Sequence, residues 1–390
     1  MYDVVIIGAG ASGIMSACLI KEKNPSYKVL LVEKNDKIGK KLLITGNGRC
    51  NLGNLNLNIK DYNIDLSSYF DIKSLFKEYI NYLEKIGIIT REEEGRLYPY
   101  TNQSLSVCKS FERYMLKLGV EIQYNYDVNT VRKNGNEYII NDEIIADKVI
   151  VSTGGLSYPK TGSTGKGYKI LESFGHKITQ RYPALTFLKT DYKYMKELKG
   201  VRFNGEVFLY VNNNLEDSEY GQIQFTESAL SGICVFNLSS NVKKYLEDKK
   251  SICITIDLAK EHDICEYLYR FNDYKIEDAL SGILNNKLAY VITKELKVHG
   301  YLIKELNHKQ IKNIDDLIHN FRFDIIGVGD FDTAQVTKGG ASLNEFNEHL
   351  ESTYSKGLYA TGEVLDVNGK CGGYNLAWAF ISAILASDSI

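Results

Sequence analysis

The chain has 390 residues, 44% hydrophobic and 25% charged, with 47 Lys and Arg against 49 Asp and Glu for a net charge of -2. That balance excludes a disordered chain and a globally basic nucleic-acid binder, and the length implies about two or three domains. Seven dispersed cysteines without a Cys-x-x-Cys pair and six scattered histidines argue against a disulfide framework, a redox dithiol and a zinc cluster, so no metal is expected.

The first element is an apolar strand, Val4-Val5-Ile6-Ile7, followed by Gly8-Ala9-Gly10-Ala11-Ser12-Gly13, a helix, a second strand Val29-Leu30-Leu31-Val32, and Glu33. Each part has a separate job around one pyrophosphate. Gly8 allows the tight turn out of the strand, Gly10 lets the backbone approach the phosphates, and Gly13 lets helix and strand pack closely. The helix N-terminus offers N–H groups and a positive dipole end to the anion. Glu33 falls twenty residues past Gly13, placed to accept hydrogen bonds from ribose hydroxyls and to disfavour a 2′-phosphate.

Next comes a glycine-rich connection from Gly39 to Asn51 that contains Lys40, Lys41, Thr45, Gly46, Asn47, Gly48, Arg49 and Cys50. A loop of this length in a compact protein tends to be functional. Helical spacing follows at Phe76, Ile80 and Leu83 and again over 104–118. Short strands are predicted at 120–124, 129–133, 138–140 and 148–151, the last opening into Ser152-Thr153-Gly154-Gly155. The loop Lys160-Thr161-Gly162-Ser163-Thr164-Gly165-Lys166-Gly167 looks like a P-loop but is not one. Lys160 stands where the first glycine is required and Gly167 where Ser or Thr is required, so an ATPase is rejected.

From about 184 to 256 the pattern is β-rich, with clear runs at 206–211 and 221–226. From about 261 to 321 it becomes helical, with Ala279, Leu280, Ile283 and Leu284, then Leu288, Val291 and Ile292. The chain then returns to glycine-led elements, Thr361-Gly362-Glu363 after a short strand and Gly372-Gly373-Tyr374-Asn375-Leu376 at the head of a final helix. The expected division is 1–185 and 325–390 as two parts of one nucleotide-binding domain, 186–258 as a β-barrel insert, and 259–324 as a helical insert. No apolar run reaches membrane-spanning length and no export signal precedes the first strand, so a cytoplasmic protein is expected.

The fingerprint alone does not separate NAD from FAD. The return of the chain at Thr153-Gly154-Gly155 and at Gly362-Glu363 favours FAD, which binds extended across the strand ends. The runs Gly46-Asn47-Gly48-Arg49-Cys50-Asn51, Thr153-Gly154-Gly155-Leu156-Ser157-Tyr158-Pro159 with Gly162 and Gly165, and Gly362-Glu363-Val364-Leu365-Asp366 with Gly372-Gly373-Tyr374-Asn375 resemble the BaiN-like flavoprotein family, which includes proteins called aminoacetone oxidases. The resemblance spans nearly the full chain. It implies an α/β, glutathione-reductase-type FAD-binding Rossmann-like domain interrupted by a β-barrel and a helical subdomain, with FAD as cofactor.

Carried over by motif, the resemblance implies that Ser12, Glu33 and Lys34 meet the adenosine and pyrophosphate half and Val128 the adenine region. The segment from Lys40 to Asn51 would approach the flavin, Gly362 and Glu363 the ribityl chain, and Asn375 and Leu376 the ring edge. The chain departs from the pattern within the insert, where Glu227 replaces a common His, Ala229 a Gly and Ile233 a Pro. In the final helix, Ser382-Ala383 replaces a commoner Ser-Gly.

Tyr158, Lys160 and Tyr374 sit in glycine-rich loops and are candidates for a proton route, or else pack over the cofactor or bind its phosphates. Cys50 is either a nucleophile or a small packing residue. Arg49 either neutralises charge on a reduced flavin or substrate, or forms an ion pair or pyrophosphate contact. Two reactions fit the resemblance: oxidation of a small amine by O₂, and NAD(P)H-driven reduction of an activated C=C bond with NAD(P)H as transient co-substrate. The lack of a second dinucleotide fingerprint favours the oxidase. An RNA-directed flavoprotein is a third class, against which the charge and the lack of an aromatic-basic motif both argue.

Overall fold

A computed structural model describes residues 1–390. The chain forms two compact units, Met1–Pro183 with Phe331–Ile390, and Ala184–Asp330.

The first unit is built on a seven-stranded sheet. Tyr2–Ile7 lies at its centre, parallel to Val29–Val32 on one side and to Ile144–Val151 on the other. Val4, Val5, Ile6 and Ile7 are all buried, as expected for a parallel strand covered on both faces. Their burial stabilises the unit by roughly 1.5–3 kcal/mol per side chain. Glu121–Gln123 extends one edge in parallel, and the antiparallel strands Glu137–Ile140 and Val131–Asn134 extend the other. The late strand Leu358–Ala360 also pairs in parallel with the central strand Ile144–Val151. Residues from both ends of the chain therefore share one sheet.

The first helix, Ala11–Lys23, is buried from Ser12 to Ile20 and packs against both Ser104–Leu118 and the final helix Tyr374–Ser387. A helix enclosed on every side is apolar all round, which accounts for the run Ile14, Met15, Ala17, Cys18, Leu19 and Ile20. Phe380 of the final helix stacks on Tyr79 at 4.7 Å and on Phe111 at 5.7 Å. The helices expected around residue 80 and over 104–118 form as Ile72–Lys85 and Ser104–Leu118. The connection from Gly39 to Asn51, read as a loop, instead folds into a short helix, Lys40–Ile44, and a 3₁₀ turn, Thr45–Gly48. Left-handed Gly46 and Asn47, at φ of 55° and 56°, hide that turn from a reading based on propensity.

The second unit holds a closed antiparallel barrel of six strands. Its longest pair is Arg202–Val211 with Asn214–Phe225, and alternating inward residues such as Val207, Leu209, Ile223 and Phe225 are buried. Helices over 264–269, 276–280, 286–295 and 308–319 lie between the barrel strands Ile252–Asp257 and Phe321–Val328. Residues 325–328, placed by sequence in the returning nucleotide-binding segment, therefore belong to the strand that closes the barrel. The alternation Phe321, Phe323, Ile325 is its signature, all three buried and their neighbours Arg322, Asp324 and Ile326 exposed. No helix is long and apolar enough to cross a membrane.

Candidate functional site: a two-ended dinucleotide cradle

The three glycines of the fingerprint have three distinct surroundings. Gly8 adopts φ +101°, and a Cβ there would fall 2.7 Å from the Ser152 carbonyl oxygen. A Cβ on Gly13 would lie 1.9 Å from the Gly8 carbonyl oxygen, so helix and strand meet backbone to backbone. Gly10 has no atom within 4 Å of its Cβ position and caps the helix with no side chain of its own. The first N–H groups of the helix it caps, Ala11–Lys23, lack intrahelical partners. The arrangement suits a pyrophosphate.

Glu33 is buried; one oxygen accepts the Ala9 N–H at 2.8 Å, and the other accepts both the Asn35 N–H at 2.9 Å and the Asn35 side-chain amide at 2.6 Å. A carboxylate has about four acceptor positions, so with three filled about one remains for a ribose hydroxyl while the side chain is held in place. Lys34 donates to Thr164 Oγ1 at 3.1 Å, and burial together with the nearby Lys166 charge lowers its pKa. Val128 is buried between Asp127 and Asn129, which both hold the Lys166 ammonium. Lys40 pairs with Asp36 at 2.9 Å, and Ser12 is buried with its hydroxyl 3.5 Å from the Thr361 carbonyl.

At the other end, Lys41 pairs with Glu363 at 2.7 Å, and Glu363 also accepts the Thr337 N–H at 2.7 Å. Gly362 has φ +74°. Its N–H donates to Ser382 Oγ at 2.8 Å, and its carbonyl accepts the Trp378 indole N–H at 3.3 Å. Gly373 caps the final helix with φ +104°, and a Cβ there would lie 2.4 Å from the Gly53 carbonyl oxygen. Asn375 closes the loop before that helix, bonding Gly369 through both its amide nitrogen and its oxygen. Leu376 is partly buried in the first helical turn. Thr153 carries a buried hydroxyl without a partner, beside Gly154 at φ +69°. The open space over Gly10, the helix N-terminus, the anchored carboxylates and this orphan hydroxyl fit an extended dinucleotide.

The three proton-route candidates differ in setting. Tyr158 is half-buried and held at φ 53°, its N–H bonded to the Phe331 carbonyl at 2.9 Å. Lys160 is exposed. Tyr374 is buried, with its hydroxyl donating to Asp61 at 3.0 Å and its ring edge-on to Tyr62. Arg49 ion-pairs with Glu93, donates to Asn102 and stacks over the Tyr98 ring at 4.0 Å. Thr45 donates to the Leu42 carbonyl at 2.7 Å.

Cys50 is fully buried at φ 63°, and burial pushes its thiol pKa up to about 12. Only a thiolate is a competent nucleophile. In the folded protein at pH 8 an alkylating reagent is expected to leave Cys50 unlabelled, and to label it once the chain is denatured. Peptide mass spectrometry checks this, and native labelling at the denatured rate would contradict the burial.

Residues assigned no role from the sequence also hold the cradle. Ser152 and Thr361 share a hydrogen bond at 2.8 Å, and Thr337 joins two glycine loops. Elsewhere, Asp263, Cys265 and Asp315 lie within 4.8 Å of one another. Asp263 there caps a helix through the Glu266 N–H, and Asp315 accepts the Ile264 N–H at 3.3 Å.

The sequence matches the family described as HI0933-like protein Rossmann domain over residues 2–389. The chain belongs to this family. It is 30% identical to the 3-dehydro-bile acid delta(4,6)-reductase of Clostridium scindens over 99% of this chain and 98% of that protein. It is likewise 30% identical to the ribosomal RNA dihydrouridine synthase of Haemophilus influenzae, over 99% of this chain and 98% of the other. Among solved structures it is similar to the 3-ketosteroid-delta4-(5alpha)-dehydrogenase of Rhodococcus jostii RHA1, at 13% identity, TM-score 0.48, over 100% of this chain and 96% of that one. The fold of this HI0933-like chain is a Rossmann-type FAD-binding domain carrying a closed six-strand barrel.

Proposed function

We propose that this HI0933-like protein is an FAD-dependent reductase of a carbon–carbon double bond conjugated to a carbonyl, using NAD(P)H as electron donor. The observation that carries this is the full-length similarity to a Δ4,6-reductase of a 3-keto steroid acid. It displaces the amine oxidase that the single dinucleotide fingerprint favoured, because a nicotinamide that only visits the flavin to transfer a hydride needs no second fingerprint.

FAD, when bound, supplies hydride chemistry in both directions. The chain's own residues do the rest. Gly10 and the helix behind it take the pyrophosphate, Glu33 the ribose, Lys34 the adenosine side, and Glu363 with its Lys41 partner the ribityl side. The N-terminus of the helix Tyr374–Ser387 would favour negative charge on a flavin ring held before it. Reduction of a conjugated double bond also needs a proton at the carbon next to the carbonyl. Tyr158 suits that task best of the three candidates, since the Tyr374 hydroxyl is committed to Asp61 and Lys160 is exposed.

A second reading concerns the substrate. The similarity to a ribosomal RNA dihydrouridine synthase names a product made by saturating the C5=C6 bond of uridine, which is also conjugated to a carbonyl. The chemistry is shared, and the two substrates differ in size and charge.

The test has two steps. The purified yellow protein is mixed anaerobically with NADH or NADPH, and flavin bleaching within seconds is expected from one of them. The reduced protein is then offered a 3-keto-4,6-diene steroid or unmodified ribosomal RNA, with a gain of two hydrogens read by mass spectrometry. No bleaching by either nicotinamide, with bleaching by a small amine instead, would restore the oxidase.

A further inference from the structure

We propose that Thr337 is a positioning residue that locks together the glycine loops and the carboxylate around the cofactor. It is buried on the short strand Val336–Lys338. Its hydroxyl oxygen accepts two backbone N–H groups, from Leu156 at 2.7 Å and Ser157 at 3.0 Å, and shares a third hydrogen bond with the Ser157 hydroxyl at 3.1 Å. Its own N–H donates to Glu363 at 2.7 Å, and the other Glu363 oxygen takes Lys41 at 2.7 Å. One small residue thus ties the Gly154–Tyr158 loop to the Gly362–Glu363 turn and, through Glu363, to the helix Lys40–Ile44.

Gly155 shows how closely this is built. A Cβ there would lie 2.5 Å from the Thr337 hydroxyl oxygen, so the glycine makes room for the threonine. Two N–H groups converging on one hydroxyl fix the path of the chain into Tyr158, whose φ of 53° is a conformation that non-glycine residues hold only when their surroundings impose it. Serine offers the same oxygen, whereas valine keeps the shape and removes the acceptor. Valine leaves the half-buried Leu156 N–H and the buried Ser157 N–H without that acceptor.

This inference rests on FAD as the ligand and not on the reductase reading. The experiment titrates apo-protein with FAD by flavin fluorescence and records the visible spectrum of the bound flavin, for wild type, Thr337→Val, Thr337→Ser and, as a control in the helical insert, Thr293→Val. Expected results are about tenfold weaker FAD binding and a shifted flavin spectrum for T337V, and wild-type behaviour for T337S. The control is expected to lose thermal stability with FAD affinity intact, since Thr293 is buried and bonds the Ala289 carbonyl at 3.0 Å. Wild-type affinity and spectrum in T337V, whatever its stability, would overturn the positioning role. Failure of wild type itself to bind FAD would instead remove the cofactor assignment. Should T337V not fold, amide hydrogen exchange in wild type decides: slow exchange at Leu156 and Ser157 is expected, and rapid exchange at both overturns the proposal.

Discussion

Gly13→Ala is expected to lower the melting temperature of the nucleotide-binding unit by about 10 °C or more, whereas Gly10→Ala, three residues away, is expected to leave the fold intact and weaken cofactor binding. The new methyl at position 13 would sit 1.9 Å from the Gly8 carbonyl oxygen, a backbone atom that no rotamer change can move. Overpacking of this kind costs about 3 kcal/mol or more, and for a unit of this size the melting temperature falls by about 2–4 °C per kcal/mol. At position 10 the methyl meets nothing within 4 Å and the backbone, at φ -77°, suits any residue. Exchanging Gly for Ala at a helix N-cap costs about 1 kcal/mol or less. The methyl would then occupy the space the pyrophosphate needs, so FAD affinity should fall about tenfold or more. Thermal unfolding of apo-protein together with an FAD titration separates the two effects. A G10A protein that binds FAD as wild type does would show that the dinucleotide lies elsewhere.

Phe380→Ala should produce the largest loss that comes from packing alone. The ring is fully buried between Tyr79 and Phe111, stacked on each within 10° to 15° of parallel: the interplanar angles are 14° and 8°. Removing such a ring costs about 3–5 kcal/mol, which corresponds to a melting temperature about 10 °C lower. Phe380→Leu refills part of the volume and should recover much of the loss. Phe380 lies on the helix whose capping glycine, Gly373, touches the Gly53 backbone. Loosening that helix should therefore also lower the temperature at which flavin is released, read as a rise in flavin fluorescence during heating. A release temperature unchanged in F380A would show that the helix does not hold the ring end of the cofactor.

The parts of the site legible in the sequence are those whose geometry is local. Gly8, Gly10 and Gly13 serve one turn and one helix start, so their spacing alone announces their jobs. The pairs that join the two ends are of another kind. Lys41 and Glu363 are 322 positions apart, and Thr337 meets Leu156 across 181. Lys41 and Glu363 are each marked by the motif they sit in, but nothing in the sequence marks their pairing, and Thr337 is an ordinary residue until folding brings it to the two glycine loops. The barrel shows the same limit. Phe321, Phe323 and Ile325 alternate as a strand should, but the helical stretch before them hides the barrel strands to which they return. The turn at Gly46 and Asn47 was obscured for the opposite reason, since residues that suggest a loop there wind a left-handed step into a 3₁₀ turn.

The pairing of Leu358–Ala360 with Ile144–Val151, beside the opening strand, sets an order of events during biosynthesis. The fingerprint leaves the ribosome first, and the strand and helix that complete its cradle follow roughly 350 residues later, an interval on the order of 20–70 s at 5–20 residues per second. Through that interval the nascent chain carries a phosphate-binding turn with no partner for the flavin end, while the barrel insert, whose strands all lie within Ala184–Asp330, has already been made in full. Capture of FAD is therefore expected to be late, and a chain cut short before residue 358 is expected to keep the fingerprint but retain no flavin, read from the absorbance of the purified fragment.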